Sequence, residues 1–146
     1  APCGGGGLIS GCALALVSES PETEIYSAEP VGFENTARSV AAGERLLGKS
    51  DGKSICDALL SPEPGKITYE INARLLKSCL TISDQTVIEA MKVAFNYFKL
   101  IVEPGGAAAL VAVLSGEYKA EGKTVSIVLS GGNVDAEMYR KALKED

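Results

Sequence analysis

Two periods of apolar spacing run along this chain. Leu8, Ile9, Cys12, Ala13 and Leu16 fall at i, i+1, i+4, i+5 and i+8, the stripe of a helix. Residues 24–29 (EIYSAE) alternate between two prolines and read as a short strand. Residues 33–47 are helix-like and stop near Gly48, and residues 49–65 form a loop rich in Ser, Gly, Asp and Pro. A helix over 66–77 leads to a strand at 79–82. Ser83 is a good N-cap with Asp84 in the first turn. Val87, Met91, Ala94, Phe95 and Phe98 then trace the clearest amphipathic helix in the chain. Residues 100–103 read as a strand stopped by Pro104, and residues 105–114 as a small-residue helix able to pack closely. Residues 124–129 (TVSIVL) form a continuous apolar strand leading into Ser130-Gly131-Gly132-Asn133. A last helix runs from about Asp135 to Lys144, capped by Asn133 or Asp135. Strand and helix alternate throughout, which predicts an α/β domain of three αβα layers. The four strands should share one mostly parallel sheet buried on both faces.

Composition narrows the chemistry. The chain has 146 residues, about one domain, with 46% hydrophobic and 23% charged residues. Such a chain offsets its ordering entropy by burial, so disorder is not expected. The net charge of −5 argues against nucleic-acid partners, which are held mainly through their phosphates. The longest apolar run, 107–114, falls far below the ~18 residues of a membrane span. There is no histidine, which removes Ser-His-Asp and Cys-His catalysis and histidine-ligated zinc together. Catalysis would therefore rest on Lys, carboxylate, Ser, Cys or a cofactor. Cys3, Cys12, Cys56 and Cys79 form no C-x-x-C pair. Cys12 reads as a buried small hydrophobe. With no disulfide framework expected, the chain is assigned to a reducing cytosol.

Four segments carry candidate chemistry. Gly43-Glu44-Arg45-Leu46-Leu47-Gly48-Lys49-Ser50 matches the P-loop pattern literally. A P-loop needs a strand before its first glycine and a helix at its lysine, and here a helix precedes and a loop follows, so the match is read as accidental. Gly4, Gly5, Gly6 and Gly7 can converge backbone N–H groups on an anion at the positive end of the next helix, a phosphate cradle. Such a loop normally follows a buried strand. No strand is read before Gly4, so a preceding part is expected to be missing. Ser130-Gly131-Gly132-Asn133 follows the most apolar strand, where ligands of open α/β sheets bind, although taken alone it reads rather as a plain turn before a helix. Glu103-Pro104-Gly105-Gly106 opens a helix with a carboxylate near its N-terminus.

CGGGGLISG, YSAEP, IVEPGGAAA and VLSGGNVD, in this order, resemble the C-terminal half of the threonine/serine dehydratases. These are pyridoxal-phosphate (PLP) enzymes of the tryptophan-synthase-like fold type II, with serine racemase a close relative. The resemblance covers residues 1–146 and implies the large-domain part of such an enzyme. It implies that backbone groups of Gly4, Gly5, Gly6, Gly7 and Leu8 hold the cofactor's 5′-phosphate and that Ser130 hydrogen-bonds its pyridine nitrogen. A neutral serine there does not keep the ring nitrogen protonated, which favours β-elimination of serine or threonine to a 2-oxo acid and ammonia. The family forms dimers and tetramers, so a homo-oligomer is implied.

The departures bear on function. The family's Schiff-base lysine lies in its N-terminal half, in a Ser-x-Lys motif that does not occur here, so no residue of this chain is assigned a catalytic role. The fragment alone should be inactive. Some relatives place a divalent cation on residues matching Glu29, the Phe33 carbonyl and Asn35. Asn in place of Asp removes a charge that hard cations prefer, so no metal is assigned, and Glu29 is equally read as a surface residue at the end of a strand. Ile55-Cys56-Asp57-Ala58 replaces a common I-A-D-G near the substrate and is similar to dehydratases of hydroxyectoine breakdown. Racemisation of serine and a hydroxyectoine-type dehydration are the alternatives within the family. A non-catalytic phosphate-binding module is the alternative outside it.

Overall fold

The structure, a computed structural model, describes residues 1–48 and 52–144. Its centre is a parallel pair of strands, β1 (Tyr26–Pro30) and β2 (Ser78–Ile82), in register from Tyr26 opposite Ser78 to Pro30 opposite Ile82. Strand side chains alternate between faces. Ala28, Leu80 and Ile82 accordingly join the main hydrophobic core on one face. On the other, the carboxylate of buried Glu29 meets the start of α2 (Asn35–Ala42).

The first face is covered by α5 (Pro104–Leu114), whose Pro104 to Ala112 are all buried. A helix that is apolar all round belongs inside, and α5 packs on both strands and on α4 (Asp84–Val93). Ser83 caps α4 as its sequence predicts, its Oγ accepting from the Thr86 N–H at 3.4 Å. Val87, Met91 and Ala94 are fully buried along the expected stripe. Phe98 is not: it is 53% exposed. Residues Ala94–Phe98 wind as a π-helical turn, which breaks the 3.6-residue period and rotates the end of the stripe outward. At the C-terminus, Asp135 Oδ1 caps α6 (Ala136–Leu143) by accepting from the Met138 N–H at 2.8 Å.

A smaller core of Cys3, Ile9, Ala13 and Ile25 lies under α1 (Gly7–Glu19), which packs on α3 (Lys66–Leu75). Cys12, expected inside, is half-buried. The layered α/β class expected from the sequence is the fold observed, but three expectations need correction. The residues before the glycines are extended after all. Pro2 bridges Ala28 in parallel, Cys3 N–H donates to the Ala28 carbonyl at 2.9 Å, and Ala28 N–H donates to that of Ala1 at 3.0 Å. Residues 100–103 and 124–129, expected as strands, adopt no regular structure, and Val125, Ile127, Val128 and Leu129 are only half-buried. A strand is stable through a neighbour's ladder of hydrogen bonds, and among the described residues neither segment forms one: Glu103 N–H donates to the Gly131 carbonyl at 3.0 Å, in the loop that follows the second segment. The helix expected over 33–47 ends at Ala42, with Gly43 in the left-handed conformation (φ 72°) as its cap.

Candidate functional site

Gly43 therefore closes a helix rather than following a strand, which is not P-loop architecture. Lys49 and Ser50 of that match lie outside the described residues.

The glycine loop is built differently. Gly6 is the N-cap of α1, left-handed at φ 92°, and no side chain caps the helix. Among the described residues, the N–H groups of Gly4, Gly5, Gly6, Gly7 and Leu8 donate to no protein acceptor. Five unpaired donors at the positive end of a 13-residue helix are an arrangement that can hold an anion such as a phosphate monoester. Two of the glycines are dictated by close approach. A Cβ on Gly4 would stand 3.1 Å from Leu59 Cα and 3.2 Å from the Ala58 carbonyl oxygen. One on Gly6 would stand 2.8 Å from Asn72 Nδ2 and 2.9 Å from Thr68 Oγ1, in a conformation side chains rarely adopt.

The short 3₁₀ turn Asp57–Leu59 lies between this loop and α5. Leu59 Cγ sits 3.2 Å from where a Cβ on Gly105 would be, and Ala58 Cβ sits 3.4 Å from it. On the next residue, a Cβ of Gly106 would lie 2.5 Å from the Gly131 carbonyl oxygen. The glycine loop, the turn carrying Ala58, the start of α5 and the loop carrying Ser130 thus form one continuous contact series. Sequence reasoning named both loops; tertiary packing joins them. Ser130 itself is exposed.

Glu103, read from the sequence only as a carboxylate near a helix start, organises the second loop. Its Oε2 accepts from the Asn133 N–H at 2.8 Å, and its Oε1 lies 2.6 Å from the position of a Cβ on Gly131. Sequence reasoning missed Thr68, whose Oγ1 donates to the Gly5 carbonyl at 2.6 Å, and buried Asn72. Their partners lie some sixty residues away, and the one local signal is Thr68 in the first turn of a helix opened by Pro64 and Gly65. Two surface clefts are lined by other residues, one by Asp135, Met138 and Arg140, the other by Gly43, Arg45 and Tyr69.

Burial pushes the Cys3 thiol up to about 12 and the Cys56 thiol up to about 11, so neither supplies a thiolate nucleophile beside the loop. Glu29 is not a surface residue but fully buried, and its two oxygens accept from the N–H groups of Thr36 and Ala37 at 2.8 and 2.9 Å. Asn35 turns its amide to the Ser61 carbonyl at 2.7 Å. No cluster of three acidic or thiol ligands occurs among the described residues. Burial raises the Glu29 carboxyl to about 7, against which the two backbone donors act. Between 4.5 and about 7 the native state therefore holds a proton that the unfolded chain has lost, and stability falls as pH rises through that window. The full difference is about 3 kcal/mol at ~1.4 kcal/mol per pH unit. Urea unfolding in EDTA should show lower stability at pH 7.5 than at pH 5, and Glu29→Gln should flatten the difference. An equal slope in the variant would assign the dependence to another group.

The profile of the family described as "Pyridoxal-phosphate dependent enzyme" matches residues 1–131. Serine racemase of Oryza sativa subsp. indica is 37% identical over 139 residues, covering 92% of this chain and 40% of that protein. L-threo-3-hydroxyaspartate ammonia-lyase of Saccharomyces cerevisiae is 35% identical over 147 residues, covering 99% of this chain and 45% of that protein. The crystal structure of threonine deaminase from T.th. superposes with a TM-score of 0.85 at 34% identity, over 92% of this chain and 45% of that one. The chain thus spans less than half the length of these relatives. With an unpaired set of backbone donors at one helix start, a serine-bearing loop joined to it through the 57–59 turn and α5, and a family match over 131 residues, the chain belongs to the pyridoxal-phosphate dependent enzymes of fold type II.

Proposed function

We propose that residues 1–146 are the C-terminal, large-domain part of a hydroxy-amino-acid ammonia-lyase. It would convert L-threonine or L-serine to a 2-oxo acid and ammonia, with the cofactor-bearing lysine in an N-terminal part. The observation that carries this reading is the cradle of unpaired N–H groups of Gly4 to Leu8, joined through Ala58 and α5 to the loop that ends in Ser130. The cofactor of the family is PLP. The residues present fit its phosphate: the donors are backbone, uncharged and unpaired, and a Cβ at Gly6 would crowd their loop.

When bound, the cofactor supplies the electron sink through which the Cα proton and the β-hydroxyl can leave. This chain's part is to bind and orient. Gly4, Gly5, Gly6, Gly7 and Leu8 would hold the phosphate. The Ser130 hydroxyl would donate to the ring nitrogen without protonating it, and Glu103 would hold the Ser130 loop through Asn133. Four free thiols accord with the reducing cytosol as its place. No helix among the described residues is long and apolar enough to cross a membrane.

Racemisation of serine is the second reading, favoured by the 37% identity to a serine racemase across 92% of the chain. Both are tested by one assay series. Release of 2-oxo acid and formation of D-serine are followed with L-serine and L-threonine, for the full-length enzyme and for the 146 residues alone. The full-length enzyme should release 2-oxo acid, and the 146 residues should not. Turnover by the 146 residues alone would place the essential lysine within this chain. A full-length enzyme forming D-serine without 2-oxo acid would replace the lyase reading with the racemase one.

A further inference from the structure

Resting on the phosphate reading of the glycine loop, we infer that Thr68, at the start of α3, is a positioning residue that sets the direction of the loop's anion-facing N–H groups. A peptide unit is planar and trans, so its C=O and N–H point opposite ways. Whatever fixes the Gly5 carbonyl therefore also fixes the Gly6 N–H. That carbonyl is held twice from α3: Thr68 Oγ1 donates to it at 2.6 Å, and the Gly65 N–H donates to it at 3.0 Å. With the carbonyl drawn toward α3, the Gly6 N–H points away from α3, to the side where the unpaired donors of Gly7 and Leu8 begin the helix.

Asn72, one helical turn further along α3, completes the support. It is fully buried, and its Oδ1 accepts from Ser10 Oγ of α1 at 2.9 Å. Its Nδ2 has no protein partner and stands 2.8 Å from where a Cβ on Gly6 would be. This amide fills the space behind Gly6 and ties the first turn of α1 to α3 while the loop stands between them. Without the Thr68 hydroxyl, the Gly5–Gly6 peptide keeps only the Gly65 donor. It is then free to turn its carbonyl toward the ligand side, where it would repel an anion. Preorganisation of this kind acts on the phosphate alone, because no other part of the cofactor needs those donors.

The test is equilibrium binding of PLP and of pyridoxal, which lacks the phosphate, to the full-length apo-enzyme, with ³¹P NMR of bound PLP. Wild type, Thr68→Val and Thr68→Ser are compared. Loss of one well-placed hydrogen bond should weaken PLP about tenfold in Thr68→Val. Pyridoxal binding should stay within about twofold, and the ³¹P resonance of bound PLP should shift. Thr68→Ser, which keeps the hydroxyl, should restore both. If Thr68→Val does not fold, Thr68→Ala carries the same expectations. Equal weakening of PLP and pyridoxal would overturn the inference by reducing Thr68 to a structural residue, as would an unchanged PLP affinity. If the wild type binds PLP no tighter than pyridoxal, the phosphate reading itself fails, and the inference with it.

Discussion

Gly106→Ala is expected to destabilise the protein by about 3 kcal/mol and to weaken PLP binding about tenfold. Gly106 is buried in the first turn of α5, and the added Cβ would lie 2.5 Å from the Gly131 carbonyl oxygen and 2.9 Å from its nitrogen. Both obstacles are backbone, so no rotamer change relieves them. Either α5 moves off the two strands, or the Ser130 loop moves off α5. Overpacking of this sort costs ~1–3 kcal/mol, and the rigid neighbours put this site at the upper end. Thermal melting should fall by roughly 5–10 °C. The cofactor effect follows from the proposed contact of Ser130 with the cofactor, because Ser130 directly precedes the displaced residue. Unchanged melting and unchanged PLP affinity would mean that α5 and the Ser130 loop do not touch in the working enzyme.

Ser130→Asp in the full-length enzyme should lower 2-oxo acid release about a hundredfold, while melting temperature and PLP affinity stay near wild type. The side chain is exposed, so a carboxylate is accommodated without burial cost. On the function proposed above, what changes is the group facing the ring nitrogen. A carboxylate favours a proton there, whereas a serine hydroxyl does not. The charge balance that Ser130 sets for loss of the β-hydroxyl is then lost, and rearranging one preorganised group of this kind costs on the order of 10²-fold. Steady-state rates with L-serine and L-threonine decide it. A variant as active as wild type would show that Ser130 does not face the ring nitrogen, and the lyase reading would lose its support from this loop.

The two predictions differ in how far the sequence alone could have supplied them. Ser130 was named through the family resemblance: an apolar run ending in Ser-Gly-Gly-Asn taken alone reads as a plain turn before a helix. Gly106 was legible only as a small residue in a helix able to pack closely. Its neighbour at Gly131 is set by the tertiary fold. The glycine loop shows the same division. Its composition and the helix after it suggested an anion cradle, but nothing local pointed to Thr68 and Asn72, which reach it from another helix.

Local pattern was enough to place the helices and two of their caps, though not the end of α2, which stops at Ala42 rather than at residue 47. Ser83 and Asp135 cap because a short polar side chain can reach a first-turn N–H, an interaction spanning three residues. The buried stripe of Val87, Met91 and Ala94 follows from the 3.6-residue period, itself a local property. Only the tertiary structure decided which extended segments become strands. Residues 26–30 and 78–82 found each other and form a ladder, and Ala1 to Cys3 joined the edge. Residues 124–129 are as apolar as any of them but have no paired neighbour, so they stay irregular and half-buried. A helix closes its hydrogen bonds within itself, whereas a strand closes them on another segment, and the identity of that segment is not written in its own residues.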